Sequence, residues 1–161
     1  CATAKNGQFG TWGKIRLEEG LYCGYRHFDR QHIAPAFCFG HGLSYTQFEY
    51  SALTLKAEKG KNVKLTFTVK NTGKRAGAEI AQVYIAPIAP KEDRPDKELK
   101  TFTKVFLTPG RSKKISLLLK QEDFAYFDVQ LHDFIADAGD YEILVGASCE
   151  DIRLRGIATL V

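Results

Sequence analysis

The chain has 161 residues, of which 44% are hydrophobic, 26% charged and 12% aromatic, with a formal net charge of +4. Those proportions describe a globular protein and exclude a disordered or fibrous one. No apolar run approaches the ~18 residues of a membrane helix, and so mild a charge permits acidic partners without requiring them.

A chain of this length buries roughly 68–70% of its unfolded surface, so folding requires neither a disulfide nor a metal. The sequence contains no methionine, which predicts a chain processed or cut from a longer one. The stretch from Cys1 to Gly13 lacks the apolar core of a signal peptide. A mature bacterial lipoprotein also begins with Cys, but a fragment boundary is the plainer reading of Cys1. The cysteines Cys1, Cys23, Cys38 and Cys149 are scattered, which points to free thiols rather than a disulfide framework.

Residues 1–45 are rich in Gly and aromatics, and neither strand nor helix period is sustained there. That stretch is expected to be mostly loop. From residue 46 the chain reads as strand after strand. In Asn62 to Asn71, Val63, Leu65, Phe67 and Val69 face one way and Lys64, Thr66, Thr68 and Lys70 the other, giving a strand with one wet face. A turn follows at Asn71-Thr72-Gly73-Lys74. Ala78 to Ile85 is apolar on both faces except at Glu79 and Gln82, so it belongs in the middle of a sheet. Pro87 to Lys97 carries three prolines among charges and reads as an exposed loop. Glu98 to Leu107 is a strand closed by Pro109-Gly110. Further strands are expected over Lys114 to Leu119, over Phe124 to Val129, and through Tyr141, Ile143 and Val145. The last runs through Ile152, Leu154 and Ile157. Seven or eight short strands with regular turns and no convincing helix predict an all-β fold. Its form is an immunoglobulin-like or fibronectin type III-like antiparallel sandwich with a loop-rich N-terminal extension.

Several residue groups could carry chemistry. Cys23 with His27, and Cys38 with His41, have the types of a zinc site but not its tight grouping, and no metal is expected. Lys56, Lys59, Lys61, Lys64, Lys70, Lys74 and Arg75 form a basic stretch. They fall in turns or on a wet strand face, where charge discourages edge pairing, so no nucleic acid is expected. His132-Asp133 would point to opposite faces of a strand, and Ser44 lies outside a nucleophile elbow. Glu18-Glu19 reads as an acidic turn, because glycoside chemistry needs two carboxyls held roughly 5–9.5 Å apart across a sugar. Trp12, Tyr22, Tyr25 and Phe28 could stack on sugars, but packing against protein is the simpler use.

A family likeness emerges from the order of motifs. The run Glu19-Gly20-Leu21-Tyr22-Cys23-Gly24-Tyr25-Arg26-His27-Phe28-Asp29 is one of them. Phe37-Cys38-Phe39-Gly40-His41-Gly42-Leu43-Ser44-Tyr45-Thr46 is the next. Asn71 and Gly73 with Ala76-Gly77-Ala78-Glu79 follow, then Arg94-Pro95 through Pro109-Gly110, and Gly139 to Gly146. Together they resemble the C-terminal region of glycoside hydrolase family 3 β-glucosidases. Cys23 stands where Val is usual, Cys38 where Pro is usual and Thr101 where Gly is usual.

The resemblance implies that residues 1–45 are the tail of a preceding α/β domain with its linker, and that 46–161 are a fibronectin type III-like sandwich. It also implies a parent enzyme that hydrolyses β-glucosides with retention. The family's nucleophilic Asp lies in a Ser-Asp-Trp type motif, whereas the single tryptophan here, Trp12, follows Thr11. The acid/base Glu lies upstream of the matching segment. No catalytic, cofactor-binding or metal-binding residue is therefore assigned, and no cofactor is expected. The expected role is a non-catalytic accessory domain that braces the catalytic domains or an oligomer. The alternatives are a carbohydrate- or surface-binding sandwich and an intact small hydrolase. Preceding catalytic domains are the expected partner, with a second copy or a weak carbohydrate contact as further partner classes, and no membrane. Localisation stays open between secreted and cytoplasmic.

Overall fold

A computed structural model describes residues 20–161. The described elements, in chain order, are α1 (Tyr25–Gln31), β1 (Phe48–Glu58), β2 (Asn62–Asn71), β3 (Gly77–Pro87), β4 (Glu98–Leu107) and β5 (Ser112–Leu119). They continue with α2 (Gln121–Phe124), β6 (Tyr126–Asp128), β7 (Asp133–Ile135), β8 (Gly139–Gly146) and β9 (Ile152–Leu160). Two antiparallel sheets form the body, one of three strands in the order β1-β2-β5 and one of four in the order β4-β3-β8-β9. β6 and β7 pair as a separate small hairpin. The all-β sandwich read from the sequence is therefore the fold.

The alternation of β2 fixes which face is inside. Val63, Leu65, Phe67 and Val69 are buried, and Phe67 lies parallel to the ring of Tyr50 with centroids 6.2 Å apart. From the other sheet, Ala81, Val83 and Ile85 of β3 and Tyr141, Ile143 and Val145 of β8 meet them in one core. β3 is central, flanked by β4 and β8. At one edge Gly156 of β9 leaves room for Leu53 and Leu55 of β1; a Cβ there would stand 2.9 Å from Leu55 Cδ1.

Three local expectations are corrected. No convincing helix is read from the sequence, but α1 forms within the N-terminal stretch. Phe124 to Val129 is not one strand. Asp123 Oδ2 accepts the Lys120 amide at 2.7 Å and starts the short α2, which buries Phe124 edge-on against Tyr141 at 5.1 Å. The loop between β3 and β4 is not wholly exposed: Arg94 within it is buried.

Candidate functional site

The outer face of the four-stranded sheet carries a second, smaller apolar cluster of Tyr84, Leu144 and Cys149. An outward-facing Tyr and Leu on a sheet need a cover, and residues 20–45 supply it. Gly24, at φ 61°, starts α1, and His32, at φ 52°, ends it. The His32 and Ile33 amides then donate to Asp29 O and Phe28 O at 3.1 and 3.0 Å. Tyr25, at the first helical position, stacks on Phe39 with centroids 5.0 Å apart and meets Tyr84 edge-on at 6.1 Å. Its hydroxyl accepts the Leu99 amide at 2.9 Å, which ties the helix to β4.

Charges clasp the same joint. Arg26 Nη2 donates to Glu98 Oε1 at 2.8 Å, and Lys97 Nζ lies 2.9 Å from Asp29 Oδ2. Arg30 Nη2 and the Tyr22 hydroxyl both donate to Asp93 Oδ1, at 3.0 and 2.6 Å. The buried Arg94 completes the set. Its Nη2 donates to Phe124 O at 3.2 Å and lies 3.5 Å from Glu98 Oε2, while the guanidinium sits over the Tyr126 ring at 4.9 Å. The sheltered pairs on Glu98 and Asp29 fix geometry more than they add stability, because desolvation offsets most of the attraction.

Beyond α1 the chain runs along the end of the sandwich. The Cys149 amide donates to Phe39 O at 3.0 Å. Gly40, at φ 82°, passes so close to Gln82 that any Cβ would overlap its side-chain amide. Gln82 in turn donates to Ala147 O at 2.8 Å and accepts the Tyr84 hydroxyl. The other side of this segment is apolar and bare: Phe37 is 78%, Leu43 94% and Tyr45 92% exposed, with Ile33 about half exposed. Large side chains grouped like this on one segment mark a contact surface.

A polar cleft of about 430 Å³ lies beside it, lined in part by His41, Ser44, Glu79, Asp151 and Arg153. Glu79 accepts the Tyr50 hydroxyl at 2.9 Å, and burial raises its carboxyl above the ordinary range. Burial, with the nearby Glu79 charge, also raises the Tyr50 hydroxyl. Asp151 is held low by hydrogen bonds from Arg153, at 2.7 to 3.2 Å. Both carboxylates are thus engaged within the protein. The sequence reading passed over this pair; its one signal was a Glu on an otherwise apolar central strand.

The other sequence candidates do not converge. Cys23 is exposed, while the Cys38 thiol donates to Ser148 Oγ at 3.3 Å. His27 lies edge-on to Phe28, and His41 lies against Phe37. No group of three or more His, Cys, Asp or Glu suited to a metal occurs among the described residues. His132 sits in the β6–β7 turn at φ 51° rather than in a strand, and Asp133 accepts the Phe134 amide. Ser44 Oγ accepts the Thr46 amide at 3.3 Å. Trp12 and Glu18-Glu19 lie outside the described residues.

Comparison with known proteins agrees with this architecture. Residues 79–149 match the fibronectin type III-like domain family. The thermostable beta-glucosidase B of Acetivibrio thermocellus is 43% identical over 145 residues, which are 88% of this chain and 19% of that protein. A beta-glucosidase of Rhizobium radiobacter is 43% identical over 146 residues, 89% of this chain and 18% of that protein. Among solved structures, beta-glucosidase 3B of Thermotoga neapolitana superposes with a TM-score of 0.83 at 42% identity, covering 88% of this chain and 20% of that one. The Bifidobacterium adolescentis GH3 beta-glucosidase gives 0.86 at 38% identity, covering 88% and 21%. The chain thus spans about a fifth of the relatives it matches.

Sandwich topology and domain match together define a fibronectin type III-like domain. More particularly, the chain is similar to the C-terminal region of the family 3 β-glucosidases.

Proposed function

We propose that this domain braces the catalytic domains of a retaining β-glucosidase by docking its bare apolar segment, residues 33–45, against them. We read residues 1–45 as the tail of the preceding α/β domain with its linker, and 46–161 as the sandwich proper. The observation that carries the reading is the contrast across one short segment. Tyr25, Phe39 and Cys38 hold it to the sandwich, while Phe37, Leu43 and Tyr45 on its other side stand exposed. A rigid apolar surface needs no ordering on contact, which favours a permanent interface. Hydrolysis itself falls to carboxylates elsewhere in the parent, and the domain acts on it through stability and alignment.

The test is the full-length parent carrying Phe37→Ser, Leu43→Ser and Tyr45→Ser together. The expected result is a shorter half-life at elevated temperature with KM for an aryl β-glucoside nearly unchanged. Wild-type heat resistance in that variant would reject the bracing role. Turnover of the same glucoside by the isolated chain would reject the accessory role altogether.

One observation supports a second reading, carbohydrate contact. Phe102 and Phe106 stand exposed on the same outward face of β4, and Ile80 of β3 faces the same way. Retention of the chain on an insoluble polysaccharide, lost with Phe102→Ala and Phe106→Ala, would favour it.

A further inference from the structure

One cysteine of the covering segment packs against a cluster that holds a cysteine of the sandwich. Cys38, half-buried, packs against the outer cluster that contains the buried Cys149. The Cys149 amide donates to Phe39 O at 3.0 Å, so the backbone next to Cys38 runs beside Cys149. The Cys38 thiol already reaches Ser148, the neighbour of Cys149, with Sγ 3.3 Å from Ser148 Oγ. Cys38 also stands where the resembled family usually has Pro, a departure that brings a thiol to this spot. We propose that Cys38 and Cys149 form a reversible disulfide that fastens residues 20–45 to the sandwich.

The chemistry is a two-step exchange with a low-molecular-weight disulfide such as oxidised glutathione. The Cys38 thiolate attacks one sulfur of glutathione disulfide, its S–S bond breaks, and one glutathione leaves as a thiolate that takes up a proton. Cys149 then loses its proton to solvent and attacks the Cys38 sulfur of the mixed disulfide. The new protein S–S bond forms as the second glutathione departs. Two protein thiols are oxidised and one glutathione disulfide is reduced to two thiols, with no further electron acceptor. Cys38 is the first to react because it is the more accessible, whereas burial pushes the Cys149 thiol up to about 11. The crosslink joins positions far apart in sequence, so it restricts the unfolded chain strongly.

The experiment uses the full chain with Cys1→Ser and Cys23→Ser, which removes the other thiols. It is incubated with oxidised glutathione near pH ~8, alkylated in denaturant, digested without reductant and analysed by mass spectrometry. The expected result is a Cys38–Cys149 linked peptide, joint loss of both alkylation sites, and a Tm raised by about 5 °C or more. Dithiothreitol reverses all three. The same chain with Cys38→Ser gives neither the linked peptide nor the Tm rise. Glutathione retained on Cys38 with Cys149 still open to alkylation would overturn the proposal. So would two unreacted thiols, or a linked peptide that forms only in denaturant.

Discussion

Asn71 is fully buried and uses every hydrogen-bonding position of its amide. Oδ1 accepts Thr46 Oγ1 at 2.7 Å and the Gly73 amide at 3.0 Å, while Nδ2 donates to Arg75 O at 2.8 Å and Leu107 O at 2.9 Å. Asn71→Asp keeps the shape but turns two donations into oxygen facing oxygen. It is expected to cost about 3 kcal/mol or more at neutral pH in urea unfolding. Burial would raise that new carboxyl above its unfolded value, so the folded variant binds the proton more readily. The gap to wild type therefore narrows as pH falls. Phe67, with no exposed surface, is the plainest core position, and Phe67→Ala is expected to cost about 3–5 kcal/mol by the same measurement. Glu79 works in the opposite sense to an ion-paired acid. Its folded carboxyl lies above the unfolded one, so its contribution is most favourable when protonated and is lost as pH rises through the folded value. Glu79→Gln, which still accepts from Tyr50, is expected to raise Tm at neutral pH relative to wild type. That advantage disappears in acid below the ordinary Glu range.

Among the elements, legibility in the sequence followed burial on one side. β2 alternates strictly because one of its faces is core and the other water, and β3 reads as central because both its faces are covered. Tyr84 and Leu144 were harder to place, since what covers them comes from α1 and residues 33–45 rather than from the other sheet. α1 itself has only 7 residues, too few to establish a helical period, and depends on Tyr25 and its ion pairs rather than on propensity. α2, β6 and β7 are shorter still and are set by a capping Asp and by the Phe127–Phe134 contact. The apolar residues of the bare segment were visible as wanting a surface. Which of them the sandwich itself covers was not, because Phe37 and Phe39 are alike in type and differ only in the face the chain turns inward. Cutting the protein to residues 46–161 tests this division. The main core closes without the segment, so the shortened protein is expected to fold. Uncovering Tyr84 and Leu144 is expected to cost about 3 kcal/mol or more and to promote self-association, read by thermal unfolding and sedimentation velocity.

At the scale of the whole molecule, two apolar clusters share one four-stranded sheet. The inner one holds the sandwich together and the outer one holds what arrives before it. The far side of the arriving segment is left for another body, and it is apolar. A net charge of +4 adds little long-range steering. Contact there rests on shape and apolar area rather than on attraction at a distance, so association with neighbouring domains is expected to show a weak dependence on salt.

The attachment of Thr46 to Asn71 has a mechanical meaning. The chain enters β1 with its direction set on both sides. Thr46 is gripped by a buried amide, and Arg153 donates to Phe48 O at 2.8 Å two residues later. A joint of this kind transmits torque. It behaves as a weld, not a swivel, and the sandwich reorients together with α1 as a single body. In solution the amides of α1 and of β1 are expected to share one rotational correlation time by ¹⁵N relaxation, where a jointed tether would give α1 a shorter one. For an enzyme built on this plan, a sandwich welded to its neighbour is a lever of fixed angle, and lengthening the chain at residue 45 would change its reach and its aim together.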